Sequence, residues 1–416
     1  MTILLFLIAF VFVCLCWQDR RLGLLVLIAS LPSYLLRFEL LGVPSTLLEL
    51  LMLAFVLVWL IKNCDKIRSL FSLPRLLCAS LILFLVAGLI GIFISPDTTA
   101  ALGIYKAYLV EPILLFLILR LELQSKTVLP QEIFTALGVS ALILSAVACI
   151  QWVTGSGIPI PWDIERRVTS VFDYPNALGL FLGPIVVISV LQLGSRKLQL
   201  ARGLKPAATT IFWLAITILS SLAIILAQSE AAIVAVLATL LIAGFIHKKT
   251  RILSSILLLL LLFLLLLLPP LQSKLTLQDY SGGVRLSQWE ETISMLSDNW
   301  LFGAGLSGYP TALEPYHTAT HYEIFQYPHN IFLNIWTELG LLGLIAFILL
   351  ATAVLQPITN YQLPITSKVA ILATVQIFIH GLVDVPYFKN DLAILTWILI
   401  AITLTYASKQ THQKKL

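Results

Sequence analysis

Charged residues are scarce in this sequence. Asp, Glu, Lys and Arg make up only 11% of its 416 residues, whereas hydrophobic residues make up 59% and the mean hydropathy is +0.98. A soluble domain carries about 25% charged residues, so this chain has too few polar side chains to cover a globule of its size in water. The composition therefore excludes a water-soluble enzyme and predicts an integral membrane protein.

Cysteine is also rare, and neither charge is in strong excess. The five cysteines have no spacing typical of a disulfide framework, and most of them lie inside apolar runs, where packing is their expected role. The net charge of +5 indicates no nucleic-acid partner, because it mostly reflects basic loops of the kind that stay in the cytoplasm beside a membrane.

Long apolar runs separated by short polar joints dominate the chain. Each run approaches the ~20 residues that a helix needs to cross a bilayer, and lipid offers no partner for a free backbone N–H group, which favours helices. We predict an all-α polytopic membrane protein, residues 1–416 forming a single domain with about 12–13 transmembrane helices. Residues 2–36 could instead form half-helices. The predicted spans are residues 2–17, 22–36, 45–61, 76–94, 104–119, 132–153, 175–193, 209–227, 230–246, 252–270, 330–355, 367–382 and 391–407.

The Lys and Arg residues are distributed unevenly between alternating loops. Most of the 26 fall in one set of loops, which the positive-inside rule places in the cytoplasm together with the C-terminus. The other, outer set includes one large insertion, residues 271–329, and loops this long within a compact fold are usually functional. The basic residues of the outer set are Arg37, Lys106, Arg166, Arg167, Lys274, Arg285 and Lys389.

An amphipathic helix is predicted inside this insertion, over Arg285–Leu296. Its apolar residues recur near helical spacing, so we expect it to lie on the outer surface. Trp289 and Ile293 should face the membrane domain, and Arg285 a cavity. The glycines of the following segment, residues 301–309, either turn the chain or present backbone N–H groups to an anion.

Arginines on the outer face oppose the charge bias and need an explanation. Arg166, Arg167 and Arg285 carry guanidinium forks that match phosphate oxygens, so they are candidates for holding the diphosphate of a polyprenyl-linked sugar. For Arg166 and Arg167 an equally good interpretation is that they reach lipid headgroups as interfacial anchors.

His329 closes the insertion where the next membrane helix starts. Histidine titrates near neutral pH and suits a general base for an acceptor hydroxyl, with a capping role as the alternative. Glu230 and Asp384, and His380 close to the latter, stand at the ends of membrane helices. Carboxylates there are costly and often functional, unless they are simply solvated.

Two patterns resemble metal sites weakly. His317 and His321 have a metal-like spacing without a third ligand. Asp163 and Glu165 resemble the acidic pairs of some membrane glycosyltransferases, but ion pairs with the adjacent arginines explain them at least as well. We therefore predict no metal and no cofactor.

Several of these residues lie in motifs of a known family. The order and spacing of the motifs are similar to the hallmark of the O-antigen ligase and polysaccharide polymerase family of bacterial membrane glycosyltransferases, and the hydropathy match covers most of the chain. The motifs are Phe172-x-x-Pro175-Asn176-x-x-Gly179, Arg285-x-x-x-Trp289, Leu301-Phe302-Gly303-x-Gly305-Leu306, Pro328-His329-Asn330-x-x-Leu333 and Glu338-Leu339-Gly340-Leu341-x-Gly343.

The resemblance implies a fold and an activity. The fold would resemble the GT-C type of membrane glycosyltransferase, in the bacterial cytoplasmic (inner) membrane. The activity would be metal-independent transfer of a glycan from a polyprenyl-diphosphate donor to an acceptor hydroxyl on the outer face. By motif position Arg285 would bind the diphosphate, and His329 would bind it or act on the acceptor. Trp289 and Asn330, from the same motifs, would belong to the substrate-binding site.

One position departs from the family. The short outer joint often has Ser-Arg in the family, whereas this chain has Ser229-Glu230. The resemblance then implies that Arg166 or Arg167 supplies the second positive charge.

The main alternative is a polytopic transporter or flippase of lipid-linked sugars. That alternative predicts ionisable groups near the middle of the bilayer and internal repeats, but the candidates gather on one face and no repeat is evident. Partners other than the bilayer and the donor glycan are left open, because a ligase, a polymerase and a protein O-glycosyltransferase share these motifs. The acceptor is accordingly a glycan, a lipid or a protein.

Overall fold

The computed structural model describes residues 2–40, 43–194, 206–268, 272–274, 276–356 and 363–413. In this part of the chain the α-helices are α1 (Thr2–Gln18), α2 (Arg20–Ala29), α3 (Leu47–Lys62), α4 (Ile67–Leu70), α5 (Arg75–Ile94), α6 (Thr98–Ile104), α7 (Glu111–Gln124), α8 (Pro130–Thr154), α9 (Pro175–Leu193), α10 (Pro206–Leu226), α11 (Glu230–Ile246), α12 (Arg251–Leu267), α13 (Tyr280–Asp298), α14 (Tyr309–Leu313), α15 (Ile331–Leu355), α16 (Ile365–His380) and α17 (Asn390–Gln413). A π-helix (Tyr105–Val110) joins α6 to α7, and short 3-10 helices cover Leu31–Leu35, Cys64–Lys66 and Glu314–Tyr316. Strands β1 (Arg37–Leu40) and β2 (Val43–Thr46) pair in antiparallel fashion.

The helices have the length and hydropathy of membrane spans. Among the described residues six helices qualify outright, with α6, the π-helix and α7 counted as one, and α3 forms a seventh with the segment that bends by 90° after it. Five shorter apolar helices lie within α1, α11, α12, α16 and α17. The described part of the chain therefore confirms the predicted all-α polytopic fold.

One predicted span is wrong. Residues 22–36 were expected to cross the bilayer, but α2 has only ten residues, and a helix of that length is about 15 Å long. A 3-10 helix with a proline in its first turn follows over Leu31–Leu35. The alternative of a half-helix is the one that the structure confirms for this segment.

Local signals in the sequence position the helix starts. Thr46 and Glu49 form a capping box on α3, in which the Thr46 hydroxyl accepts from the Glu49 amide at 3.2 Å and the Glu49 carboxylate accepts from the Thr46 amide at 3.1 Å. Such a pair satisfies two of the N–H groups that a helix start leaves free. Helix α3 therefore begins directly after β2.

The helices pack side by side in a bundle. Helix α15 lies along α5, α10 packs against α8 and α9, and α16 packs against α9, α11 and α17. The basic loops assigned to the cytoplasm meet at one end, where the buried Arg120 donates to the carbonyls of Ser69, Leu70 and Ser72. Arg120 thus holds the fold together rather than facing solvent.

The other end of the bundle carries the insertion, and we call it the insertion end. Contacts between its loops establish that they lie together. Arg285 donates to the carbonyl of Val383 at 2.9 Å, and the Lys389 ammonium lies 4.2 Å from the centre of the Phe172 ring. The loops at this end are residues 31–40 with 43–46, 95–97, 155–174, 227–229, 276–330 and 381–389.

The insertion folds around its own small core. Met295 and Leu296 of α13 pack with Tyr309 and Leu313 of α14. The Tyr309 hydroxyl lies 2.8 Å from that of Thr292, so the polar tip of this buried ring is also satisfied. The insertion is therefore an ordered cap.

Helix α13 forms as predicted, but its predicted orientation is wrong for Ile293. That side chain is 58% exposed, and Leu286 on the same face is 39% exposed. The buried face is instead the opposite and more polar one, which includes Gln288 and Thr292. The apolar face is therefore free to contact lipid at the membrane surface.

The glycines after α13 serve close packing. Gly303 and Gly340 have φ angles of +68° and +65°, which favour glycine. A Cβ atom on Gly303 would lie 2.4 Å from the Thr337 carbonyl oxygen, and one on Gly340 would lie 2.5 Å from that of Leu301. Two motifs that are separate in the sequence thus form one interlocked unit, at a break in α15.

Several backbone N–H groups of this unit already donate within the protein. The amides of Ala304 and Leu306 donate to the carbonyls of Thr337 and Gly91, at 2.7 and 3.1 Å. The Ser307 amide donates to the Glu338 carboxylate at 2.7 Å. Of the two interpretations of these glycines, the structure favours the turn over the anion site.

Candidate active site at the insertion end

Three segments of the chain meet at the insertion end: α13, the joint Pro328–Asn330 and the turn that follows α16. The Asn330 side chain joins two of them, because its amide donates to the Leu382 carbonyl at 3.0 Å while its carbonyl oxygen caps the start of α15. The Ile331 amide donates to the Gly381 carbonyl at 2.7 Å. Asn330 is therefore placed to hold the site together.

Arg285 reaches from α13 into this junction. Its Nε atom donates to Val383, and its Nη1 atom donates to the Ser281 hydroxyl at 2.8 Å. Its Nη2 atom makes no hydrogen bond to a described residue, so the outer edge of the guanidinium is available for an anion. Arg285 is half-buried rather than lost to bulk solvent.

Trp289 positions the segment that carries the histidine. One turn after Arg285 on α13, its indole N–H donates to the Pro328 carbonyl at 2.8 Å. His329 follows at once, with a φ angle of +45° that is unusual for a residue other than glycine. Strained backbone of this kind is concentrated at functional sites.

His329 and Asp384 form a pair. The Nδ1 atom of His329 lies 3.5 Å from an oxygen of Asp384, an ion-pair distance longer than a tight hydrogen bond. Burial alone raises the pKa of Asp384, but His329, His380 and the Val385 amide together lower it to about 2. The carboxylate is therefore ionised at neutral pH, which favours the proton on Nδ1 of His329 and leaves Nε2 as the basic atom.

His380 lies behind this pair. It is 1% exposed, and neither of its ring nitrogens has a hydrogen-bond partner among the described residues. The second oxygen of Asp384 is likewise buried without one. Buried polar atoms are normally satisfied by protein, water or ligand, so this cluster is a candidate for holding a polar molecule.

Arg166, Arg167 and Glu230 form a second group at the same end. Arg166 is exposed, whereas Arg167 donates to the Ala227 carbonyl at 3.3 Å and stacks on the Trp162 ring at 4.9 Å. Glu230 pairs with Lys274 of the insertion. Among the described residues no contact joins Arg167 to Arg285, so the structure does not bring the two arginines onto one anion.

The two groups are nevertheless at the same level of the bundle. A Cβ on Gly179 would touch Ser229, and one on Gly183 would touch Gln376. Gly179 and Gly183 are four residues apart on α9, and Gln376 and His380 are four residues apart on α16. Four residues span about 6 Å along a helix axis. Since α9 and α16 run in opposite directions, Ser229 and His380 lie at the same height.

Lys389 is a residue that the sequence did not single out for a role. Its ammonium is enclosed by the rings of Phe172, Tyr34 and Tyr174, at 4.2, 5.3 and 5.5 Å, and has no hydrogen-bond partner in the described part of the chain. Burial lowers the pKa of Lys389, although the nearby carboxylates, Asp391 first, oppose this. The signal for Lys389 in the sequence was that it belongs to the outer set of basic residues.

The histidines within the insertion have structural partners. His317 lies 3.0 Å from the Glu291 carboxylate, which also accepts from the amides of Thr318 and Ala319. Burial alone raises the pKa of Glu291, but these hydrogen bonds lower it overall. His321 stacks on its neighbour Tyr322. Among the described residues, no group of three or more His, Cys, Asp or Glu side chains is placed to bind a metal.

Comparison with known proteins identifies a family over part of the chain. Residues 215–348 match the family model described as O-antigen ligase. No curated protein matches the chain. The matched segment includes Arg285, Trp289, His329 and Asn330, and Asp384 lies beyond it. This match agrees with the motifs and supports a relationship to the O-antigen ligase family over residues 215–348.

Proposed function

We propose that this protein transfers a glycan from a polyprenyl-diphosphate donor to an acceptor hydroxyl, at the outer face of the bacterial cytoplasmic membrane. The match of residues 215–348 to the O-antigen ligase family supports a membrane enzyme of the ligase or polymerase type. The single observation that supports this donor, acceptor and location is the junction at the insertion end. There Arg285 donates to the carbonyl of Val383, and His329 pairs with the carboxylate of the next residue, Asp384.

The proposed reaction uses each side chain for one task. The acceptor oxygen forms a bond to the anomeric carbon of the donor sugar, and the bond from that carbon to the diphosphate breaks. His329 Nε2 takes the acceptor proton, and Asp384 stabilises the imidazolium that results. Arg285 stabilises the charge that develops on the departing polyprenyl diphosphate. The proton later passes from His329 to solvent or to the released diphosphate.

A diphosphate is already a good leaving group, which decides what the site must supply. Stabilisation of charge matters more than a general acid on the leaving side. In this proposal Trp289, Asn330 and His380 shape the binding site, and Arg166, Arg167 and Glu230 lie at its edge.

The experiment that tests the function in cells is disruption of the gene followed by glycan analysis. A ligase predicts long glycan chains that lack the acceptor, whereas a polymerase predicts single repeat units. A protein O-glycosyltransferase predicts unmodified protein with the lipid-linked glycan intact. A glycan profile identical to that of the parent strain contradicts all three.

The insertion should face away from the cytoplasm. Cysteines introduced at the exposed positions Ser281 and Thr318 are expected to react with an impermeant thiol reagent in intact cells, because the charge bias places this end outside. The native Cys64 is exposed at the opposite end and serves as the control, in a background where Cys14 is serine. Reaction of Cys64 in intact cells, with Ser281→Cys protected until lysis, reverses the topology.

Chelators should leave transfer unchanged. The proposed stabilisation of the diphosphate comes from arginine, so no divalent cation is required. The measurement is transfer by detergent-purified protein with and without EDTA, followed by readdition of magnesium or manganese. Activity that is lost with EDTA and restored by either ion contradicts the assignment and returns attention to Asp163 and Glu165.

A further inference from the structure

A cleft lined by charged, aromatic and aliphatic residues opens beside the candidate active site, and no function has been assigned to it so far. It has a volume of about 580 Å³ and lies between the β1–β2 pair and the helical segment from α6 into the π-helix. That volume is within the range of sites that bind small organic ligands, about 300–1,000 Å³. The cleft is therefore large enough for a few sugar units.

The charges on its walls are balanced. Arg37 and Lys106 supply two positive charges, and Glu39 and Glu49 supply two negative ones. Lys106 is paired with Glu49 at 3.1 Å. A surface without net charge does not concentrate a diphosphate or an anionic lipid headgroup. It suits a neutral ligand with many hydroxyl groups, because carboxylates accept from hydroxyls and cations donate to them.

Aromatic rings complete the lining. Tyr34, Phe38 and Tyr108 lie on the cleft together with the amide side chain of Asn390. Tyr34 and Phe38 are only 4% and 8% exposed, whereas Tyr108 is half-buried and offers the most ring surface. A ring with a flat apolar face and a polar edge is suited to cover the apolar face of a sugar. The combination of rings, an amide and balanced charges is the chemistry of a carbohydrate site.

The cleft is connected to the candidate active site through the turn between α16 and α17. The Tyr108 carbonyl accepts from the Tyr387 hydroxyl at 2.7 Å, and the Tyr108 ring packs against Phe388 with centroids 5.9 Å apart. Phe388 in turn packs against Tyr327 at 5.9 Å. Tyr327 is two residues before His329, so one layer of rings lies between the cleft and the histidine segment.

We propose that this cleft is a glycan subsite, which binds a sugar chain while its reacting end lies near His329. The proposal rests on the function proposed above and adds where the chain is held. The sugar chain belongs to the donor or to the acceptor, since the chemistry of recognition is the same for both. The experiment separates these two sources.

Gly103 offers a direct way to fill the cleft. It lines the cleft on α6, and a Cβ atom placed on it would meet nothing within 4 Å. Gly103→Trp should therefore occupy the space without straining the backbone, and loss of a helical glycine favours the helix. Leu102→Trp is the matched control, because Leu102 is 52% exposed on the same helix and is not part of the cleft lining.

Binding is measured without reference to transfer. The probe is the soluble oligosaccharide released by mild acid from the cell's own lipid-linked glycan, titrated into detergent-purified protein. We expect wild type and Leu102→Trp to bind it equally and Gly103→Trp to bind at least about tenfold more weakly, which corresponds to about 1.4 kcal/mol. Equal affinity of the two variants, or no binding by wild type, overturns the proposal.

Steady-state kinetics then identify the source of the sugar chain. An increase in KM for the acceptor alone in Gly103→Trp places the acceptor in the cleft, and an increase in KM for the donor alone places the donor there. Unchanged KM values for both substrates overturn the proposal. If wild type binds the oligosaccharide but transfers nothing, the proposed function fails while the binding titration still decides the subsite.

Discussion

Arg285→Ala is expected to abolish glycan transfer while the protein remains folded. The guanidinium lies at the junction that holds the His329–Asp384 pair, and its Nη2 atom makes no hydrogen bond to a described residue. Loss of a group that stabilises transition-state charge costs about 100- to 1,000-fold in kcat. The measurement is transfer by purified protein, together with its melting temperature and its yield from the membrane.

Arg285→Lys sharpens this test. An ammonium keeps the charge but cannot reproduce the fork, and here Nε is already committed to the Val383 carbonyl. We therefore expect the lysine variant to recover little of the lost rate. Arg68→Ala is a control for the loss of an arginine, because Arg68 is exposed at the opposite end of the bundle. If Arg285→Lys has wild-type activity, bidentate binding of phosphate is refuted.

His329→Ala is expected to reduce transfer by about 100- to 10,000-fold, the usual contribution of a general base. The His329 side chain is 26% exposed, so truncation leaves no large buried cavity of the kind that costs about 2–5 kcal/mol in a core. A loss of activity should therefore occur without a loss of folded protein, measured by thermal unfolding and by membrane yield.

Asp384→Asn tests the partner in the same pair. The asparagine keeps the volume but removes the charge that favours the proton on His329 Nδ1. We expect a smaller loss of kcat than in His329→Ala, and little further loss when both changes are combined, because the two residues act as one unit. Additive losses in the double variant count against a shared role.

The membrane fold was predictable from the sequence because apolar runs of helical length have few other stable structures in lipid. The short α2 was not predictable from hydropathy, because residues 22–36 are mostly apolar along their whole length. What ends α2 is local, with Ser30 as its C-cap and Pro32 in the turn that follows. Apolar composition predicts that a segment is in the membrane but not how far it crosses.

Helix α13 shows a related limit. The spacing of Leu286, Trp289 and Ile293 predicted the helix, but periodicity does not distinguish a face that packs on protein from one that contacts lipid. The face that packs on protein holds Glu291 and Thr292, which find partners in His317 and Tyr309. Partners so distant in sequence leave no local pattern.

The candidate site was predictable residue by residue but not as an arrangement. Motif positions singled out Arg285 and His329, and the cost of a carboxylate at a helix end singled out Asp384. The contact between Arg285 and Val383 joins residues 98 positions apart, which no spacing rule anticipates. Lys389 went unassigned for the same reason, because its aromatic neighbours come from two distant loops.

The structure does not explain why Glu230 stands at the short joint where the family often has arginine. Glu230 pairs with Lys274 at the surface, and Arg167 contacts this joint through the Ala227 carbonyl. That Arg166 or Arg167 supplies a second charge to the diphosphate stays a prediction. Glu230→Arg should be tolerated if this position is vacant in function.

The most direct test of the account is transfer by the purified protein. The protein in detergent is incubated with a polyprenyl-diphosphate-linked glycan and a candidate acceptor, and both the joined product and the released polyprenyl diphosphate are measured. The proposed function predicts that the joined product and the released polyprenyl diphosphate appear in equal amounts with wild type. Neither should appear with Arg285→Ala or His329→Ala. If folded wild-type protein forms no product, yet moves the same lipid-linked glycan across reconstituted vesicles, the protein is a flippase and the account is wrong.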